Sequence, residues 1–116
     1  MVPGGTYKAM SQLRRGVVEY CVLALLWDDR RYGVEILREL GKVDAMVTSE
    51  GTIYPLLSRL HRDALVEAAW QESAGGPPRK YYELTPAGRQ ALEEFSAAWP
   101  EFNDAVLHFL NKNKTR

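Results

Sequence analysis

SEGTIYPLLSRL, residues 49–60, combines a helix start, an apolar stripe and an awkwardly placed proline. Ser49 is a residue type that opens helices, and apolar side chains follow it at helical spacing. At about 100° per residue, Ile53, Leu56, Leu57 and Leu60 share one narrow arc, the face that rests on a core. Gly51, Pro55, Ser58 and Arg62 fall opposite, with Thr52 and Arg59 on one flank and Tyr54 on the other. The exposed face is therefore small, hydroxylated and cationic, with Glu50 as its only acid. Such a face suits a nucleic-acid groove, because hydroxyls and arginine reach phosphates and base edges while small residues let the backbone approach. An ordinary solvated helix surface is the competing interpretation. Pro55 costs little if it lies near the first turn, where backbone N–H groups lack helical partners anyway.

The neighbouring segments give this helix its setting. From about Leu13 to Trp27 two apolar stripes run side by side: Leu13, Val17, Tyr20, Ala24 and Trp27 on one, Val18, Cys21, Val22 and Leu25 on the other. One face suffices for a helix on its own core, so the second stripe points either to a central helix or to cover from another subunit. Asp28–Arg31 is a polar turn, YGVEILREL a second helix, and Gly41 its stop. The helix at Ser49 should end around Asp63-Ala64. VEAAWQES and KYYELT then read as strands on either side of AGGPPRK, a hairpin with a long tip. In the second strand Tyr82 alternates with Tyr81 and Glu83, which assigns it to the core. Thr85-Pro86 opens a last helix running towards Leu110. Three helices, a hairpin and a helix predict a mainly α, α+β chain: a winged helix-turn-helix over residues 8–84 with a C-terminal dimerisation helix over 85–112, in one compact unit.

Bulk properties bound the choices. With 116 residues, 46% hydrophobic, the chain builds one domain with a modest core. The formal net charge is zero, so any case for nucleic acid rests on local charge rather than on a basic chain. A single cysteine, Cys21, excludes an intrachain disulfide and fits a reducing compartment. Arg14-Arg15 followed by VVEYCVLALLW imitates an export signal, but these 11 apolar-rich residues fall short of the about 20 that span a bilayer. Glu19 interrupts them and DDRR ends them, so they read as a buried helix of a cytoplasmic protein without a membrane partner.

Two further segments carry candidate function. The hairpin tip places Arg79 and Lys80 beside a flexible turn with no acid from Ser73 to Tyr82. Alone it is an ordinary solvated turn; beside an arginine-bearing helix it becomes a clamp on the nucleic-acid backbone. In the last helix Leu92, Phe95, Trp99, Phe102, Val106 and Phe109 recur at spacings of 3, 4, 3, 4 and 3, a heptad seam. So many large side chains predict a homodimer, in which these helices pack on each other or on the partner's first helix and its Val17. Pro100 deprives the Ser96 carbonyl of its helical donor and predicts a kink. A gap there, lined by Phe95, Trp99 and Phe102, would admit a flat apolar ligand; a packed aromatic core without ligand fits the same spacing. His61 and His108 are isolated, and no metal-ligand spacing or phosphate loop is present, so neither a catalytic residue nor a cofactor is expected.

The blocks LRRG (13–16), YG (32–33), GTIYPLLSRL (51–60), RKYYELTPAG (79–88) and Trp99 together resemble the PadR family of bacterial winged-helix transcriptional regulators, in its small branch with one C-terminal helix. The resemblance implies a dimeric repressor on a two-fold related double-stranded operator, often released by a small molecule. It implies DNA contacts from Ser49, Thr52, Tyr54, Ser58 and Arg59 and from Arg79 and Lys80, and a small aromatic effector stacked on Trp99. Pro100 and the bulky Phe95 depart from the family's pattern at that position. The rival expectation is a winged helix that docks another protein without reading DNA.

Overall fold

The computed structural model describes residues 4–114, with side chains from 8 to 112. Its elements are α1 (Gly4–Leu25), β1 (Arg31–Tyr32), α2 (Gly33–Leu40), a 3₁₀ turn (Asp44–Met46), α3 (Glu50–Arg62), β2 (Val66–Ser73), β3 (Gly76–Leu84) and α4 (Pro86–Lys114). The strands form one antiparallel sheet in the order β1-β3-β2. This is the winged-helix fold: α2 and α3 make the helix-turn-helix and β2–β3 the wing.

The core lies between α1, α2, α3 and the root of the sheet. Val22, Leu23, Ile36, Ile53, Leu57 and Leu60 are completely enclosed, with Val66, Tyr82 and Leu84 closing the sheet side. Burial also raises the Tyr82 hydroxyl above its ordinary pKa, as its place in the core requires. The apolar arc predicted for α3 is the buried one. In α1 the core face differs from expectation, because Leu23 and Leu26 are buried while Leu13 is exposed and Leu25 only half-buried. From Cys21 to Trp27 every residue is apolar, so periodicity within that run selects no face.

Three local features depart from the sequence pattern. The wing tip is short: Ser73 pairs with Gly76 across Ala74 and Gly75, and Gly75 takes φ 73°. Pro77 and Pro78 lie inside β3. Because adjacent residues turn their backbone N–H positions to opposite edges, one faces the edge that β1, pairing only with Tyr81 and Tyr82, leaves open, and the other faces the irregularity of the β2 register between Gln71 and Ser73. Arg79 and Lys80 therefore sit in a paired strand, opposite Gln71 and Trp70, and not in a loop tip. Pro55 falls in the second turn of α3 rather than its first; it leaves the Gly51 carbonyl without a helical donor, on an exposed side where water replaces it.

α4 begins on a tight junction. The Thr85 hydroxyl accepts from Gly88 N–H at 3.0 Å and donates to the Ala64 carbonyl at 2.7 Å, capping α4 and tying it to the end of α3. The helix then runs on through Pro100 to Lys114, further than the heptad seam. It leaves the body of the protein: the radius of gyration is 16.8 Å and the long dimension 62 Å, against about 13 Å for the radius of a compact chain of this length.

Candidate nucleic-acid interface

The outward face of α3 is a ridge with a groove on each side. Gly51, Thr52, Pro55, Ser58, Arg59 and Arg62 are exposed, as is Tyr54 on the opposite flank. The seven residues anticipated for DNA contact are not one cluster; the fold divides them between the two grooves.

The first groove, about 920 Å³, lies between α3 and α1. Thr52, Ser58, Arg59 and Arg62 line it from α3, Thr48 and Ser49 from the preceding loop, and Ser11, Arg14 and Arg15 from α1. Ser49 has the extended backbone of a cap residue, yet its hydroxyl bonds the Thr52 hydroxyl at 3.3 Å instead of a backbone N–H. Arg59 reaches Glu19 of α1 at 3.5 Å, both side chains part-exposed. Such a pair contributes at most about 1 kcal/mol and leaves the arginine available to a stronger anion. Arg14 donates to the Ala45 carbonyl at 2.8 Å and so fixes the 3₁₀ turn that leads into α3.

The second groove, about 390 Å³, separates α3 from the wing and gathers Tyr54, Tyr32, Trp70, Arg79 and Lys80. The Arg79 guanidinium lies 4.6 Å from the centroid of the Tyr32 ring, and the Lys80 ammonium 5.8 Å from those of both Trp70 and Tyr82. These rings hold the cations in place without neutralising them. Tyr54 packs over Gly33 so closely that an added Cβ would meet its ring at 2.5 Å, so only glycine at the start of α2 allows this side chain its position. Trp70, 70% exposed, is a groove residue the sequence did not single out. Val66, Ala68 and Trp70 share one face of β2, and that face runs off the end of the core before Trp70.

A third concavity is apolar. Between α1 and α4 lies a cleft of about 710 Å³ lined by Leu13, Val17, Met46, Phe95, Trp99 and Phe102 among others. Phe95 stacks on Tyr20 at 4.1 Å and 7°, and on Trp99 at 5.8 Å and 27°, a ladder of three rings. The three residues expected around a ligand thus line one cleft, and α1 and the 3₁₀ turn supply walls the sequence did not reveal. Past this point the described residues cover the seam only in part: Phe102 is 64% and Phe109 66% exposed, and Val106, Leu107 and Leu110, which also line the cleft opposite Met10 and Leu13, remain exposed. Cys21, next to Met46, is half-buried, and burial raises its thiol pKa, which keeps it protonated and unreactive.

Among the described residues no group of acidic, histidine or cysteine side chains has the arrangement of a metal site, and no helix is long and apolar enough to cross a membrane.

The sequence model of the transcriptional regulator PadR-like family matches residues 22–94. A transcriptional regulator of Mycobacterium tuberculosis is 36% identical over 98 residues, covering 84% of this chain and 90% of that protein. The crystal structure of a PadR-like transcription factor from Bacteroides fragilis is similar at 43% identity and a TM-score of 0.73, covering 88% of this chain and 98% of its own. That of a PadR family regulator from Eggerthella lenta is similar at 31% identity and a TM-score of 0.82, with coverages of 90% and 91%.

Proposed function

Because the chain belongs to the PadR-like family of transcriptional regulators, it is a regulator and not an enzyme, and we propose that it is a cytoplasmic homodimeric repressor that binds a two-fold related DNA operator and is released by a small aromatic or hydrophobic effector. The observation that carries the proposal is the α3 ridge, small and hydroxylated along its crest, with cations in the groove on either side. A helix of this kind fits a major groove, while Arg79 and Lys80 on the wing reach the adjoining backbone. Phosphate contacts supply most of the affinity, hence a steep salt dependence despite zero net charge.

Dimerisation is supported by the uncovered side of α4. A row of large apolar side chains from Trp99 to Leu110, projecting beyond the body, exceeds what a monomer leaves in water. A second copy covers it and sets the spacing of two α3 ridges, which must be about 34 Å apart to enter successive major grooves. The effector site is supported by the cleft between α1 and α4. A ligand there changes regulation only if it binds the DNA-incompetent spacing more tightly than the competent one, since equal affinity shifts nothing.

Both halves of the proposal have direct tests. In a binding assay with the DNA upstream of the gene, Arg79→Ala should weaken affinity on every sequence and reduce the salt slope by about two, one for each copy. An unchanged slope removes the wing from the interface. Flat aromatic compounds should quench tryptophan emission, and Trp99→Ala should abolish that response. Quenching that survives the substitution would arise at Trp27 or Trp70 and would refute the cleft as the effector site.

A further inference from the structure

We infer that α1 is a second phosphate-gripping wall, so that α3 is held in the major groove from both sides: one DNA strand seated between α1 and α3, the other between α3 and the wing. The inference rests on the DNA-binding proposal above and extends it to Arg15, on α1 and so outside the helix-turn-helix and the wing, and to Arg62 at the end of α3.

A helix lying in a major groove has a sugar-phosphate backbone along each flank. The protein presents a groove along each flank of α3, and both are cationic. On the wing side the charges are Arg79 and Lys80. On the other side they are Arg14, Arg15, Arg59 and Arg62, interleaved with the hydroxyls of Ser11, Thr48, Ser49, Thr52 and Ser58. Guanidinium groups and hydroxyls are the donors that phosphate oxygens accept from.

The placement follows from helical geometry. Ser11, Arg14, Arg15 and Val18 stand at spacings of 3, 4 and 7 along α1, which puts them on one side of the helix. Val18 is buried against the body and fixes that side towards α3. The contact between Glu19 and Arg59 confirms that the two helices face each other across this groove.

The acids in reach are few. Glu19 holds Arg59 at 3.5 Å and Asp63 holds Arg62 at 3.9 Å, both exposed enough to exchange for a phosphate. Arg14 is committed to the Ala45 carbonyl. Arg15 is exposed and makes no ion pair with any described residue, so its charge is uncompensated at the mouth of the groove. A chain with no net charge that concentrates four arginines here has spent its positive charge selectively. The partner that matches is a polyanion with regularly spaced charges, which a DNA strand is.

The experiment is a salt series of anisotropy titrations with the intact protein on a mixed-sequence duplex. Observed affinity falls with salt roughly as the 0.9 power for each phosphate neutralised, so Arg15→Ala, carried by both copies of the dimer, should lower the slope by about two and weaken binding by a factor on the order of 50 near 0.1 M salt. Arg15→Lys should restore both, because a phosphate responds to the charge itself and does not require the guanidinium fork. Glu19→Gln should tighten binding, an effect that a merely structural Glu19–Arg59 pair would not produce. Arg15→Ala with the wild-type slope, while Arg79→Ala flattens it, overturns the α1 wall and leaves the wing interface standing. Wild-type protein that ignores duplex DNA at low salt overturns both.

Discussion

Gly88→Ala is expected to destabilise the protein by about 3 kcal/mol, the upper range for forcing atoms into a packed site. A Cβ at this position would be driven into the Leu65 carbonyl oxygen, with Leu84 Cδ1 only 2.8 Å away. The first obstacle is backbone, and the second is the end methyl of a leucine buried in the core. The Leu65 carbonyl accepts from Thr85 N–H at 3.1 Å, and Leu65 N–H donates to Leu60 at 2.9 Å, so moving this backbone breaks the closure of α3. Moving α4 instead breaks the Thr85 cap, which satisfies Gly88 N–H and the Ala64 carbonyl together. Thermal melting followed by circular dichroism should show a midpoint lower by about 10 °C. A midpoint within about 2 °C of wild type would mean that the junction relaxes freely, and that α4 is not rigidly aimed by it.

Much of this fold was readable wherever one physical constraint acted alone on a segment. The buried arc of α3 was legible because its apolar and polar residues alternate at one period and nothing else competes. The Thr85 cap was legible because threonine before proline has few other uses. α1 was legible as a helix but not in register, since a run that is apolar all round contains no phase. The wing tip was misjudged for a different reason. Gly-Gly-Pro-Pro breaks a central strand, but the outer part of β3 has an open edge on one side and an irregular register with β2 on the other, which together accommodate the two prolines. β1, two residues long, exists only through pairing with β3 and has no local signature.

The candidate sites divide along the same line. Residue types on α3 could be assigned to its exposed face, yet which groove each would enter depends on the tertiary placement of α1 and the wing. Arg14 and Arg15 looked like the flank of an apolar run until α1 was set beside α3. Trp70 lies in a segment that the sequence reads only as a strand, and its place in the groove follows from the core ending before it. The aromatic seam of α4 was plain from its spacing. That the described residues cover it only in part beyond Trp99 comes from the structure.

That exposure makes Phe102→Asp the most disruptive surface substitution expected for function. Phe102 is 64% exposed in the single chain, so its replacement removes little packing from the domain and should leave the fold of the monomer intact. In a dimer joined along α4 it becomes buried, and an aspartate there places an unpaired charge in an apolar contact, beside the existing Glu101 and Asp104. Two-fold symmetry doubles the insult, since each copy brings the same charge to the same interface. Sedimentation equilibrium should therefore report a species near the 13.2 kDa chain mass, against twice that for the proposed wild-type dimer. Operator affinity should fall by a factor on the order of 10² to 10⁴, the advantage lost when two half-sites are bound independently. Each monomer keeps its α3 ridge and both flanking grooves, so weak binding to mixed-sequence duplex should persist with about half the salt slope. This pairing of outcomes separates the two roles of the molecule: loss of the operator with retention of mixed-sequence binding locates the defect in spacing, whereas loss of both would mean that α3 itself needs the partner to hold its place. An unaltered dimer would require that the copies join through another surface, and the uncovered side of α4 would then need a different occupant.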